Sequence, residues 1–332
     1  MITLNEIIEK QKQDQSPYKV AVCITSYNQK EYIEDALKSV LHQKTDFPFL
    51  IVVGDDFSTD GSVELLKKYQ REYPEIIKLV LQKENHGLFY NRRQIIESCD
   101  APYIAFCDGD DYWTDDHCLQ KKVDFLESHL NYIGYQTGCY CKRGDVVTTL
   151  TDLEEKDCCY DFTKQDALKN QYPGLINGFF FRNIYRYMPK ELFEIYMDVP
   201  IDDSGKLPIV AGIIAPIYRQ DHKATFIYRY HDGSMERENE RVNMCQRLFL
   251  SHLKYDQMIK QLFGQEFQMD FDDQLMTLIT DAFVTAAKST FRHEGQENWR
   301  QFRFLYHYGY FSKSKIRKAI LKKITSKLIR YK

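Results

Sequence analysis

The sequence predicts an α/β protein with a mostly parallel central sheet, followed by a helical C-terminal region. Three observations carry that expectation. Short β-branched runs alternate with amphipathic stretches through the first 130 residues. The loops leaving those runs are rich in Asp, Ser, Thr and Gly, and ligands in such sheets bind at the carboxyl ends of strands. Beyond about residue 238 the apolar residues keep a helical period.

In order along the chain, residues 1–17 form a polar, helical lead-in. Lys19–Ser26 (KVAVCITS) reads as a buried strand. A helix over 30–43 follows, with Ile33, Ala36, Leu37, Val40 and Leu41 on one face. Phe49–Val53 is a second strand. Asp60 is a candidate cap for the next helix, whose stripe is Val63, Leu66 and Tyr69 and which Pro74 ends. Ile76–Leu81 and Tyr103–Cys107 are the third and fourth strands, with helices at Leu88–Ser98 and Asp116–Leu130. This βα half spans 18–130. A second half, 131–237, is irregular, with strand-like pieces within 132–150, at Gly178–Arg182 and at Thr225–Tyr230. Residues 238–332 are helical and end in a basic tail, 313–332.

Composition excludes disorder, collagen and a disulfide scaffold: 43% of the 332 residues are hydrophobic and 28% charged. The 24 Tyr and 21 Phe are core formers by default. A net charge of −3 conceals a split. The tail holds nine Lys and Arg with no Asp or Glu, which leaves 36 basic against 48 acidic residues, a net −12, in residues 1–312. The first 16 residues lack the apolar run of a signal peptide. The longest apolar stretch, Leu207–Tyr218, contains Pro208 and Pro216 and falls short of the ~20 residues a membrane span needs. The expectation is a cytoplasmic protein. Nine scattered Cys without a CxxC fit that compartment. Cys139, Cys141, Cys158 and Cys159 are either buried thiols or a Zn²⁺ site of unusual spacing.

Chemistry gathers at three strand ends: Thr25-Ser26-Tyr27-Asn28, Gly54-Asp55-Asp56-Phe57-Ser58-Thr59-Asp60-Gly61, and Asp108-Gly109-Asp110-Asp111-Tyr112-Trp113. Carboxylates crowded into one cleft repel one another unless a cation neutralises them. A hard cation, Mg²⁺ or Mn²⁺, completed by substrate phosphate oxygens, resolves that conflict and points to a diphosphate substrate. Asp60, Asp115 and Asp116 read instead as turn residues. No GxxxxGK[ST] loop, GxGxxG fingerprint, GxSxG elbow or HExxH helix occurs. Asp56-x-Ser58-x-Asp60-Gly61 starts like an EF-hand, but its twelfth position is Lys67, which excludes that reading.

Taken together, strand–TSYN, a helix ending in His42-Gln43, strand–GDDFSTDGS, Asn85-x-Gly87 with Arg92, and strand–DGDDYW resemble the GT-A glycosyltransferases of family 2 over residues 18–130, more weakly to about 235. These are inverting enzymes that use nucleotide-diphospho-sugars. The resemblance implies a GT-A fold and a donor site of Thr25, Tyr27, Asn28, Asp56, Arg92, Asp108, Asp110, Asp111 and Trp113. Thr25 matches a residue near the nucleobase and ribose, and Asp56 the Asp that recognises uracil. Arg92 matches an Arg near the phosphates, although Arg93 follows where Asn is usual. Asp108 and Asp110 match the DxD motif and are the implied metal residues: the first Asp faces the ribose or a metal-bound water, and the second binds the metal. Asp111 and Trp113 match the floor beneath the donor sugar.

In the second half the resemblance implies a catalytic base at Asp203 or Asp202, although Ser204-Gly205-Lys206 replaces the usual following aromatic. Tyr228-Arg229-Tyr230-His231 resembles a YRxH element, so His231 is a third metal ligand, a phosphate contact or a satisfied loop residue. The implied acceptor is a glycan or lipid-linked saccharide in cell-surface polysaccharide synthesis. A non-catalytic nucleotide-sugar-binding module and a nucleotidyltransferase remain as alternatives. In the tail, Ile316, Ile320, Ile324 and Leu328 recur at i, i+4 among Lys and Arg. That pattern suits an anionic membrane surface, on the inner face, or a packed terminal helix with a solvated basic face. The acidic remainder opposes nucleic acid.

Overall fold

The computed structural model describes residues 2–149, 159–169, 174–199, 203–231, 241–289, 295–307 and 311–329. The chain forms two compact units, residues 1–231 and 232–332.

The first unit opens with helix α1 (Leu4–Lys12), started by a capping box between Thr3 and Glu6. There follow β1 (Val20–Ser26), α2 (Ile33–Leu41), β2 (Phe49–Asp55), α3 (Ser62–Glu72), β3 (Ile77–Leu81), α4 (Leu88–Glu97), β4 (Tyr103–Phe106), β5 (Tyr112–Trp113) and α5 (Cys118–Ser128). Then come β6 (Gly134–Arg143), β7 (Val146–Thr149), β8 (Cys159–Phe162), α6 (Lys164–Leu168), β9 (Phe179–Arg182), α7 (Ile184–Tyr187), α8 (Lys190–Met197), α9 (Asp203–Ile214) and β10 (Ile217–Arg229).

One sheet runs in the order β3-β2-β1-β4-β9-β6-β10-β5, with β7 beside β6 and β8 beside β10. Its first four strands are parallel, as βα alternation requires. Beyond β4 it is mixed: β9 runs antiparallel to both β4 and β6, while β10 is parallel to β6. Every residue of β1 is buried, because helices cover both faces of a parallel sheet. Val20, Val22 and Ile24 point to one face and meet Ile33, Ala36, Leu37 and Val40 of α2 and Leu119, Val123 and Leu126 of α5 in one core cluster. On the sheet's other side α4 lies so close to β2 that Asn91 Nδ2 donates to the Gly54 carbonyl at 2.9 Å.

Several expectations change. Asp60 does not cap α3. Gly61, at φ 96°, is the N-cap, and Asp60 Oδ1 instead accepts the Ser62 N–H at 2.9 Å while its Oδ2 accepts the Lys30 N–H at 2.9 Å. The apolar stretch from Leu207 is mostly helix, since α9 is apolar on every side and shows no stripe to read. The strand expected at Thr225–Tyr230 is the end of the 13-residue β10, whose polar middle and register shifts hide its period. Cys23, Cys99, Cys107, Cys118 and Cys139 are buried, whereas Cys159 is exposed. No Cys joins a metal-competent group among the described residues, and Cys158 lies outside them.

The second unit has helices at Arg241–Phe263, Asp272–Ser289, Gly295–His307 and Lys313–Ile329. Ile316 is buried within it, Ile320 is half-buried and Leu321 is exposed. The side chains of Ile324 and Leu328 lie outside the described residues. Among the described residues no helix is long and apolar enough to cross a membrane.

A Cβ at Gly54 would lie 2.4 Å from Ile95 Cγ1 and 2.6 Å from Asn91 Oδ1. Gly54→Ala must therefore push α4 off β2, and overpacking of this kind costs about 1–3 kcal/mol. Denaturant unfolding should show a matching fall in midpoint, and an unchanged midpoint would contradict the close approach.

Candidate active site

The carboxyl ends of β1, β2 and β4 are sewn into one edge. Ser26 pairs with Asp55 at the end of the parallel register, and its Oγ donates to Asp55 Oδ2 at 2.9 Å. Asp55 Oδ1 also accepts the Ser58 N–H at 2.8 Å. The two loops then zip together: the Asn28 N–H donates to Ser58 Oγ at 2.8 Å, and the Thr59 N–H to Asn28 Oδ1 at 2.9 Å. Asn28 and Phe57 adopt left-handed conformations, φ 50° and 67°. Asn tolerates that region, but for Phe it is strained and points to a local functional demand. Tyr27 and Phe57 are both about half exposed beside these turns.

Asp56 is buried, yet both carboxylate oxygens are engaged. The His86 N–H donates to Oδ1 at 2.9 Å and the Gly87 N–H to Oδ2 at 2.8 Å. Each oxygen keeps a second lone pair for a ligand N–H, such as the imide of a uracil ring.

The third strand end is pressed against the first. The Gly109 N–H donates to the Thr25 carbonyl at 2.9 Å. A Cβ at 109 would stand 2.6 Å from that same oxygen and 2.4 Å from Gln29 Oε1, so only glycine fits. Asp108 Oδ1 accepts from Thr25 Oγ1 at 2.8 Å and from Arg92 Nη2 at 2.7 Å, and Arg92 is buried. The structure thus brings Thr25, Arg92 and Asp108 into one contact.

Asp110 faces another way. Its Oδ2 lies 3.1 Å from His231 Nε2, and the imidazole packs against Tyr32, tilted by 31°, with ring centroids 4.8 Å apart. Arg229 donates from Nη1 to the Asp110 carbonyl at 3.2 Å, pairs with Asp35, and lies over the Tyr32 and Tyr112 rings. Asp111 is 1% exposed. Its Oδ1 accepts the Arg229 N–H at 2.8 Å and its Oδ2 accepts from Asn177 Nδ2. Burial, reinforced by the neighbouring Asp110 charge, holds its pKa well above the carboxylate range. Trp113 belongs to the core cluster at 5% exposure, so its ring supports the loop from beneath rather than lining an open cleft.

The residues expected to hold a metal, Asp108, Asp110 and His231, do not form a ready three-ligand cluster. The group of His, Cys, Asp and Glu whose ligand atoms all lie within 4.8 Å among the described residues is Asp115, Asp116 and His117. Those are turn residues of the expected kind: Asp115 accepts the His117 N–H at 3.0 Å and pairs with Lys121, and Asp116 pairs with Lys44. Asp108 is drawn away by Arg92. Asp110 and His231 together still offer one oxygen and one nitrogen to a hard cation that takes its other ligands from water and phosphate.

Asp202 lies outside the described residues. Asp203 is the first residue of α9, and its side chain is likewise outside them. Lys206, where the family pattern would run differently, donates from Nζ to the Tyr196 and Val199 carbonyls at 3.1 and 3.0 Å. It staples the end of α8 to the first turn of α9. Asn177, Arg229 and Tyr32 are site residues that sequence reasoning missed. Arg229 stood within a recognised element, but Asn177 and Tyr32 carry no local signal.

Comparison with known proteins agrees with this architecture. The model of the family "Glycosyl transferase family 2" matches residues 21–186. The Mycobacterium tuberculosis protein Rv1520 is 36% identical over 110 residues, 33% of this chain and 32% of that protein. The putative teichuronic acid biosynthesis glycosyltransferase TuaG of Bacillus subtilis is 33% identical over 160 residues, 47% of this chain and 60% of that protein. The chain thus spans about a third of the first relative and less than two thirds of the second. In fold it is similar to S. aureus TarS 1–349, crystallised with UDP-GlcNAc, at a TM-score of 0.55 and 16% identity over 90% of this chain and 92% of that one. The family model covers half of the residues and the GT-A fold agrees with it, so the chain belongs to glycosyl transferase family 2.

Proposed function

We propose that the protein transfers a sugar, with inversion, from a nucleotide-diphospho-sugar to a hydroxyl of a glycan or lipid-linked saccharide in cell-surface polysaccharide synthesis, with a UDP-sugar as donor. The observation that carries this reading is the convergence of Thr25, Arg92 and Asp108, and of Asp110 and His231, on the carboxyl edge of a family 2 sheet. The relative TuaG, whose name gives it a part in teichuronic acid biosynthesis, supports the cell-surface polymer.

In this reading Asp56 accepts the imide N–H of the uracil, and its two backbone donors fix the carboxylate for that task. Tyr27, Asn28 and Thr25 border the nucleoside, and Arg92 holds Asp108 toward the ribose. Asp110 and His231 would hold Mn²⁺ or Mg²⁺, which would supply Lewis-acid stabilisation of the diphosphate leaving group. Asp111 and Trp113 support the loop from below. Asp203, or Asp202 beside it, takes the proton of the attacking hydroxyl. Lys206 fixes the helix start that carries this base, which gives the departure from the family pattern a structural use.

Mn²⁺ with one UDP-sugar should raise the melting temperature of the wild-type protein, because a ligand selective for the folded state stabilises it. Asp110→Ala should lose the Mn²⁺-dependent part of that shift. It should also lower transfer by about a hundredfold or more, matching the several kcal/mol a bound Lewis acid supplies. A folded Asp110→Ala enzyme with undiminished turnover would remove Asp110 from the metal site.

Asp203→Asn should lower turnover by about 10²–10⁴-fold while UDP affinity stays unchanged. Equal losses in both would place Asp203 in the nucleotide site, and no loss would shift the role to Asp202.

We further propose that the exposed basic face of the terminal helix, Lys313, Lys315, Arg317, Lys318 and Lys322, rests on the anionic inner face of a membrane. Ile316 is occupied inside its own unit, so charge rather than an apolar stripe carries the contact. Each basic residue contributes about 1 kcal/mol there, so Lys318→Ala/Lys322→Ala should weaken sedimentation with anionic vesicles by about tenfold or more. Equal binding to neutral and anionic vesicles would exclude the electrostatic contact.

A further inference from the structure

Asn177 sits in the short 3₁₀ turn Ile176–Gly178 between β8 and β9, and it is 2% exposed. Its amide meets both ends of the Asp108–Asp111 tetrapeptide. The Asp108 N–H donates to Oδ1 at 2.8 Å, and Nδ2 donates to Asp111 Oδ2. The amide orientation follows from chemistry: a backbone N–H can only donate, so the oxygen must face Asp108 and the NH₂ must face Asp111. Asp111 in turn accepts the N–H of Arg229, two residues before His231. One amide group therefore fixes the start of the acidic loop directly, and through Asp111 the strand end that presents His231 to Asp110.

The turn beneath Asn177 is itself clamped. The Lys122 ammonium, buried in α5, donates to the Gly178 carbonyl at 3.1 Å, and burial pushes its pKa down. A Cβ at Gly178 would lie 2.4 Å from the Thr137 carbonyl, so the turn is pressed against β6. A buried ammonium held mainly to orient a carbonyl is costly, and here the carbonyl belongs to the residue after Asn177.

We infer that Asn177 is a positioning residue that sets the spacing of Asp110 and His231 for the cation-bound diphosphate, acting through Asp108, Asp111 and the end of β10. It touches neither donor nor acceptor. The inference rests on the metal reading proposed above for Asp110 and His231, and two readouts separate it from that reading.

The first readout needs no metal. In metal-free protein, deuterium exchange of the 107–113 segment should quicken in Asn177→Ala and the Asp108 amide should lose its protection. Asn177→Asp is isosteric and keeps an oxygen for the Asp108 N–H, so that amide should stay protected. The second readout is Mn²⁺ affinity in the presence of UDP, followed by electron paramagnetic resonance. Both variants should bind Mn²⁺ about 10- to 100-fold more weakly, as loss of a support behind metal ligands does, and Asn177→Asp, which keeps the Asp108 bond, should leave UDP affinity in EDTA unchanged. In Asn177→Asp the cause is loss of the NH₂ donor to Asp111. Wild-type Mn²⁺ affinity in either folded variant would overturn the inference. So would a parallel loss of metal-free UDP affinity in Asn177→Asp, which marks a merely structural role. If Asn177→Ala does not fold, Asn177→Asp alone decides by the same criteria. If the wild-type protein binds no Mn²⁺ with UDP, the metal reading fails and the exchange readout alone decides the bridge: unchanged exchange in Asn177→Ala overturns it.

Discussion

The approach of Gly109 to the end of β1 governs the active edge. β1 is buried along its whole length and is paired with β2 from Val20 to Ser26 and with β4 from Val20 to Cys23. The Thr25 carbonyl accepts the Gly109 N–H, and the Thr25 hydroxyl donates to Asp108. The acidic loop is thereby fastened at two points to a strand that is buried throughout. No side chain fits at position 109, and the missing Cβ is the condition for both bonds. The Ser26–Asp55 contact and the Asn28–Ser58 and Thr59–Asn28 bonds extend the same fastening sideways to β2. A nucleotide meeting this edge meets groups held in place before it arrives, which lowers the cost of ordering them on binding.

The electrostatics of the loop are more finely divided than its composition suggests. Three carboxylates within four residues would repel if left alone. In the folded chain Asp108 has the buried Arg92 and Asp110 has His231, whereas Asp111 accepts two hydrogen bonds and burial with the Asp110 charge still pushes its pKa up. On the reading proposed above, a metal at Asp110 would take its other ligands from substrate phosphates, in keeping with the habit of Mg²⁺ and Mn²⁺ of taking few protein ligands.

Much of the first half was legible in the sequence for a physical reason. Parallel strands covered on both faces read as unbroken apolar runs, and β1, β2 and β4 do so. Their helices carry one apolar stripe each, as Ile33, Ala36, Leu37 and Val40 show in α2. The second half hid itself in two ways. α9 is apolar all round and contains Pro208, so neither a stripe nor an uninterrupted helix former announced it. β10 carries Arg219, Gln220, Asp221, His222 and Lys223 in mid-strand and shifts register there, which breaks the alternation a strand should show. At the site, Asp56, Asp108 and Asp110 were legible because they follow buried strands. Asn177 was not, since its partners lie 69 and 66 residues away in the chain.

That contrast says something about how the second half serves the first. The parallel strands present the donor-facing groups by their own geometry, each at a strand end. The mixed part of the sheet has no such edge to offer, and it works by reaching back. Asn177 precedes β9, which runs antiparallel to β4, so the turn before β9 falls beside the end of β4 where the acidic loop begins. β10 runs parallel to β6 and antiparallel to β5, which directs its own end, with Arg229 and then His231, toward the same loop. The reversal of strand direction after β4 is therefore what lets one loop be held from two sides. A fully parallel sheet would have placed those later strand ends along the edge but not around the carboxylates.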